Sequence, residues 1–298
     1  MRNELRQVLL DRAASDPEFM MLTGDLGFNF LEPVAEALGD RFINAGIAEQ
    51  NMVSVAAALA REGFSPWVYS IAPFVFARPF EQVRNDICFN GLKVVLVGNG
   101  GGYGYGVMGP SHHAIEDYGV LLTLPSMKVF APAFSEDLES RKWADTPGAK
   151  YLRLGRDEKP NGFEPPAYAP WRQLTTGGGG VVIAVGALAS AYVGPFHELP
   201  EADRPELWAL TELPIPDIPD ALDQACRREN TRIVIAEEHV ARGSAGMEMA
   251  SKVQMERRDW APIVSCTAQV VEGYGSQTWL REQVGLDAPT ILRKLRVE

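Results

Sequence analysis

Short apolar runs alternate with stretches of helical periodicity along the first half of the chain. Residues 2–14 put Leu5, Val8 and Leu9 on one face and predict a helix. Phe19 to Leu22 predicts a strand that ends at Thr23-Gly24-Asp25, and residues 47–62 predict a second helix closed by Gly63. Trp67 to Ile71 reads as a strand, residues 78–90 as a helix, and Val94 to Val97 as a continuous apolar strand. Val120 to Leu122 lies in a further helical stretch, and Lys128 to Ala131 and Tyr151 to Leu154 complete the strands of this half. Strands that are apolar on both faces and separated by helices predict α/β architecture, with a mostly parallel sheet covered on two sides.

Residues 157–180 interrupt that rhythm. Pro160, Pro165, Pro166 and Pro170, followed by Gly177 through Gly180, predict a linker. The alternation then resumes with a strand at Val181 to Val185, a helix near 187–197, and a short strand that includes Ala209. A helix at 218–228, the strand Arg232 to Ala236 and a small-residue helix from about Gly243 follow. The organisation expected is one α/β domain over 1–156, a linker over 157–180 and a smaller α/β domain over 181–298.

A length of 298 residues suits two such domains, and 46% hydrophobic with 22% charged residues is ordinary for a soluble globular protein. The net charge of −11 argues against nucleic acid and anionic membranes, which both require basic surface. Cys88, Cys226 and Cys266 are isolated, without metal-ligand spacing; Cys88, in an apolar run, reads as core. No secretory signal pattern opens the chain and no apolar run is long enough to span a bilayer, so a cytoplasmic location is expected.

The segment Asn44 to Val53 is the most informative. Glu49 falls in the first turn of a helix whose body, Val55 through Ala60, is small and apolar, so its start is expected to be buried or at an interface. Burial without a counter-charge would raise a carboxyl pKa, whereas a helix N-terminus favours the ionised form. A plain helix-capping role is the alternative. Residues 98–109 are rich in glycine, and Gly104, Gly106 and Gly109 formally match a dinucleotide fingerprint. The match starts well past the strand end at Val97, Pro110 follows it, and the acidic partner about 20 residues on is missing. A flexible loop at the mouth of a cavity is the better reading. His112 and His113 follow it at an expected helix start.

The run Gly46-Ile47-Ala48-Glu49-Gln50-Asn51-Met52 resembles the pyrimidine-domain signature of the transketolase family. Arg78 with Phe80 to Asp86, Gly109-Pro110-Ser111-His112-His113 through Asp117, Phe130 to Ala133, Tyr151 to Arg156, and Glu237-Glu238-His239 with Gly243 and Gly246 resemble further family motifs in order. The resemblance implies a pyrimidine-binding domain and a transketolase C-terminal-like domain acting with thiamine diphosphate. Glu49 would hydrogen-bond the aminopyrimidine ring and favour its imino form, with Gln50 beside it; Phe74 would face the ring, and Ile71 stands where many relatives have a second aromatic. His112 would reach the reacting carbonyl of substrate, with Ser111, His113, Met108 and Arg156 lining the substrate site.

Departures narrow that expectation. Met108 stands where sugar-handling relatives carry a carboxylate, and Gly100 where they keep a phosphate-binding histidine. Phe28 and its neighbours lack a serine expected near phosphate, while Arg156 and, as a candidate, Arg2 retain anion-binding character. The expectation is ketol or acyl transfer from a ketose or 2-oxo acid donor to an aldehyde, on a substrate other than the standard pentose phosphates. No Gly-Asp-Gly occurs in the chain, so the diphosphate and its Mg²⁺ are expected on a partner subunit, in an α2β2 assembly, with no metal ligands here. The β subunit of a 2-oxo acid dehydrogenase and a non-catalytic stabilising subunit are the rival readings.

Overall fold

A computed structural model describes residues 1–140 and 142–296. The strands are β1 (Phe19–Thr23), β2 (Phe42–Asn44), β3 (Ser65–Ile71), β4 (Val95–Asn99), β5 (Lys128–Phe130) and β6 (Lys150–Leu154), then β7 (Trp171–Thr175), β8 (Val181–Val185), β9 (Glu206–Leu210), β10 (Glu212–Leu213), β11 (Ile233–Glu237) and β12 (Ile263–Thr267). They form a seven-stranded sheet in the order β10-β5-β6-β4-β3-β1-β2 and a five-stranded sheet in the order β12-β11-β8-β9-β7. Both are parallel except where β10 pairs with β5 and β7 with β9. The α/β expectation holds.

The first sheet is buried on both faces, as its unbroken apolar strands require. Phe19, Met21, Trp67, Tyr69, Val95 and Val97 point to one side, where Leu5, Val8 and Leu9 of helix α1 (Arg2–Ser15) and Val34 and Leu38 of α2 (Glu32–Leu38) cover them. Leu22, Val68 and Leu96 point to the other side, against Met52, Val53 and Ala56 of α3 (Glu49–Arg61) and Val75 of α4 (Ala72–Phe76). The small residues of α3 let it lie close to the sheet, which carries the helix start into the protein body.

Several segments depart from expectation. Residues 171–175, inside the expected linker, form the edge strand β7; Pro170 stops just short of it and the glycines follow it, so an antiparallel edge pairing survives between them. The helix expected over 78–90 is a short turn at Phe80–Gln82 that widens into a π-helical segment, Val83–Cys88. The strand β10 leaves the second sheet to join the first, so the two units share a sheet edge. All three cysteines are buried free thiols; burial pushes Cys88 up to about 11 and Cys226 up to about 12. Among the described residues no helix is long and apolar enough to cross a membrane.

Candidate active site

The ends of β1 and β2 and the start of α3 build the crevice that holds Glu49. Asn44, the last residue of β2, ties these ends together: its Oδ1 accepts from the backbone N–H of Asp25 (3.1 Å) and Gly46 (3.0 Å), and its Nδ2 donates to Asp25 (3.0 Å). Gly46 has φ +69°, a left-handed turn that redirects the chain into α3 and that disfavours any other residue. Glu49 opens the helix without a side-chain cap before it, and Gly24 packs behind, where a Cβ would stand 3.7 Å from Glu49 Oε1.

Glu49 is 4% exposed. Arg78 Nη1 donates to its Oε1 at 2.8 Å, and Oε2 has no hydrogen-bond partner among the described residues. The counter-charge, which the residues flanking Glu49 do not reveal, arrives because α4 ends at Phe76 and the chain after it returns toward α3. The Arg78 guanidinium also lies 3.8 Å from the centroid of the Phe74 ring, and His112 meets that ring edge-on at 5.1 Å. Ser111 Oγ is 3.0 Å from His112 Nδ1. Glu49, Arg78, Phe74 and His112 are thus linked by contact. Glu49 and Arg78 border a crevice of about 570 Å³ lined by residues 47–51 and Arg78, with Gln50 exposed on its rim; Phe74 and His112 stand behind Arg78. Ile71 is half-buried at the end of β3, just before the helix that carries Phe74.

His113 faces the other way. Its backbone is extended (φ −75°, ψ 140°), so its ring turns inward, 5% exposed, and packs edge-on against Tyr103 at 5.1 Å. Neither ring nitrogen has a partner among the described residues, and burial lowers its pKa. Arg156 lies in a second cleft of about 800 Å³ at the C-terminal ends of β4 and β6, with Arg2, Asn29, Asn99, Tyr105 and Lys159. Asn99 Nδ2 donates to Tyr105 Oη at 2.6 Å, and the Tyr105 ring fills the space beside Gly100, where a Cβ would collide with it. Met108 is half-exposed at the surface.

The glycine-rich loop is pinned. A Cβ at Gly106 would collide with Leu280, and one at Gly102 would collide with Glu238. Glu238 accepts from Tyr103 N–H (3.2 Å) and Gln277 Nε2 (3.0 Å) and pairs with Arg281. The glycines serve close approach of two units, which replaces the expected flexibility.

Residues 1–141, which carry Glu49, Phe74, Arg78 and His112, match the family described as transketolase, pyrimidine binding domain. A solved structure titled split gene transketolase, inactive beta4 tetramer, superimposes with a TM-score of 0.84 at 30% identity, over 99% of this chain and 96% of that one. The chain belongs to the transketolase family. An apulose-4-phosphate transketolase subunit from Phocaeicola vulgatus is 33% identical over 166 residues, 55% of this chain and 53% of that protein. 1-Deoxy-D-xylulose-5-phosphate synthase 1 of Geobacter metallireducens is 30% identical over 300 residues, 95% of this chain and 46% of that protein. The chain therefore spans about half the length of these curated relatives, and corresponds to the C-terminal half of a split transketolase-like enzyme.

Transketolase membership implies thiamine diphosphate, and the crevice suits its heteroaromatic part. A buried carboxylate with one oxygen free of protein partners among the described residues, its Arg78 partner lying against the Phe74 ring, fits a heterocycle that hydrogen-bonds there. Sequence reasoning brought Glu49, Phe74 and His112 together but gave no role to Arg78, Tyr105 or Glu238. Arg78 was visible only as part of a motif, and the other two depend on contacts between distant segments.

Proposed function

We propose that this chain is the transketolase-like subunit that supplies Glu49 to the aminopyrimidine of thiamine diphosphate, in an enzyme transferring a ketol or acyl unit between carbonyl compounds. The observation that carries this reading is the Glu49 carboxylate, almost fully buried yet on the wall of an open crevice. Thiamine diphosphate, when bound, supplies the electron sink for breaking a carbon–carbon bond beside a carbonyl. The chain's own part is to orient that group and exchange a proton with it: Glu49 Oε2 offers the acceptor, Arg78 fixes the carboxylate through Oε1, and the Phe74 ring backs the Arg78 guanidinium. His112, beside Phe74, is positioned to donate a hydrogen bond to a substrate oxygen.

Arg2 and Arg156 in the larger cleft favour an anionic substrate, Lys159 being engaged by Glu136 and Asp157, while the Tyr105-filled space beside Gly100 favours one other than a standard pentose phosphate. The chain lacks Gly-Asp-Gly, so a partner subunit would hold the diphosphate and Mg²⁺ and close the crevice, as an α2β2 assembly. Reconstitution tests this directly. The chain mixed with a Gly-Asp-Gly subunit, thiamine diphosphate and Mg²⁺ should transfer a two-carbon ketol unit to an aldehyde, and neither chain alone should. Transfer by the isolated chain, or reductive acylation of a lipoyl domain in place of ketol transfer, would contradict the proposal.

A further inference from the structure

A separate cavity of about 240 Å³ opens where β10 joins β5, at the opposite end of β6 from Arg156. Val129, Phe130, Trp143 and Leu213 give it apolar walls, and Lys150 lies in it. Lys150 is 2% exposed; its Nζ donates to Gly148 O at 2.9 Å, and no carboxylate lies within ion-pair distance among the described residues. The charged groups around it are mainly cationic: Lys93, Lys128 and Arg12 repel a further proton, and Asp145, which opposes them, is engaged by Arg12. Glu212 lines the cavity but accepts from Tyr168. Burial first, then the neighbouring lysines, pushes the Lys150 pKa down to about 8, so a sizeable fraction is free amine near neutrality.

We infer that Lys150 is a covalent modification site, whose amine takes short acyl groups from acyl phosphates that enter this cavity. The Lys150 nitrogen attacks the acyl carbon, the bond from that carbon to the phosphate oxygen breaks, and phosphate leaves with the electron pair. The amine gives one proton to solvent. Surrounding cations draw in the anionic donor, apolar walls accept the acyl chain, and the amide product removes an unpaired buried charge.

Acetyl phosphate incubated with the full chain at about pH 7.5, with peptide mass spectrometry over time, tests this. Lys150 should acetylate at least about tenfold faster than the exposed Lys93 and Lys294, because its free-amine fraction is larger while access and lower basicity offset part of the gain. In urea the three rates should converge. A Lys150 rate equal to or below that of the exposed lysines in the native chain, or a preference that persists in urea, overturns the inference.

Discussion

A carboxylate with 3% of its side-chain surface in solvent loses most of its hydration on folding, and Arg78 restores part of that loss through one charge-assisted hydrogen bond to Glu49. Arg78 keeps 43% of its own side chain in water, so the pair is worth less than a fully buried one. Arg78→Ala should lower stability by about 1–2 kcal/mol, measured by urea denaturation, by leaving Glu49 without its counter-charge. His239 makes a second residue-scale prediction. Its ring stacks on Tyr118 at 3.9 Å, its Nε2 accepts from Gly119 N–H at 3.0 Å, and its Nδ1 is 2.8 Å from Val240 O. This arrangement needs a neutral ring, and burial lowers the pKa below the ordinary 6.5. As pH falls, the unfolded chain takes up this proton before the folded one does. The contribution is therefore full above about pH 6.5 and is lost progressively below it, as pH falls toward the lower folded pKa. Melting temperature should decline over that range in the native chain, and His239→Phe should flatten this part of the decline.

At the scale of elements, the end of β11 is the seam between the two units. Glu237 accepts from Tyr118 OH and from the first N–H groups of helix Ala245–Met255, Glu238 holds Tyr103 N–H and Arg281, and His239 holds Gly119. Glu238 thus pins the glycine loop at Tyr103, while Glu237 and His239 hold the short helix Asp117–Leu121 that follows His112. Glu238→Ala should cost about 2 kcal/mol, by leaving buried Arg281 with Glu158 as its remaining carboxylate, and should lower ketol transfer further through a displaced loop; chemical denaturation and kcat separate the two effects. The sequence made the helices and strands legible wherever one period ran unbroken, as in Val181 to Val185. It hid β7 and β12: the former is hemmed by proline and glycine, and the latter exposes Val264 and Ser265 and so lacks a continuous apolar run. The glycine loop misled for a physical reason. Glycine chosen for close contact and glycine chosen for mobility look alike until the neighbour, here Glu238 or Leu280, is known. The place of Glu49 at the start of a small-residue helix was legible locally and its role came from the motif around it, whereas its counter-charge Arg78 lies 29 positions away.

At the scale of the whole molecule, one sheet is completed by a strand from the other unit, and Arg172 of β7 donates to both oxygens of Asp137 across the junction, at 2.7 and 2.5 Å. The crevice and the cleft both lie at the C-terminal ends of the parallel strands, where the register sets Ile71 beside Asn99. Ile47, 76% exposed on the crevice lip, is the side chain a closing partner would cover. Ile47→Asp should weaken association with that partner about tenfold or more, seen by titration calorimetry, with the isolated chain's stability unchanged. The most direct measurement concerns Glu49→Gln in the reconstituted enzyme. Glutamine can still accept from Arg78, so melting temperature and partner affinity should hold. The turnover number should fall by about 10³-fold, because an amide cannot exchange a proton with the cofactor ring. Turnover within about twofold of the native enzyme would show that Glu49 only starts its helix.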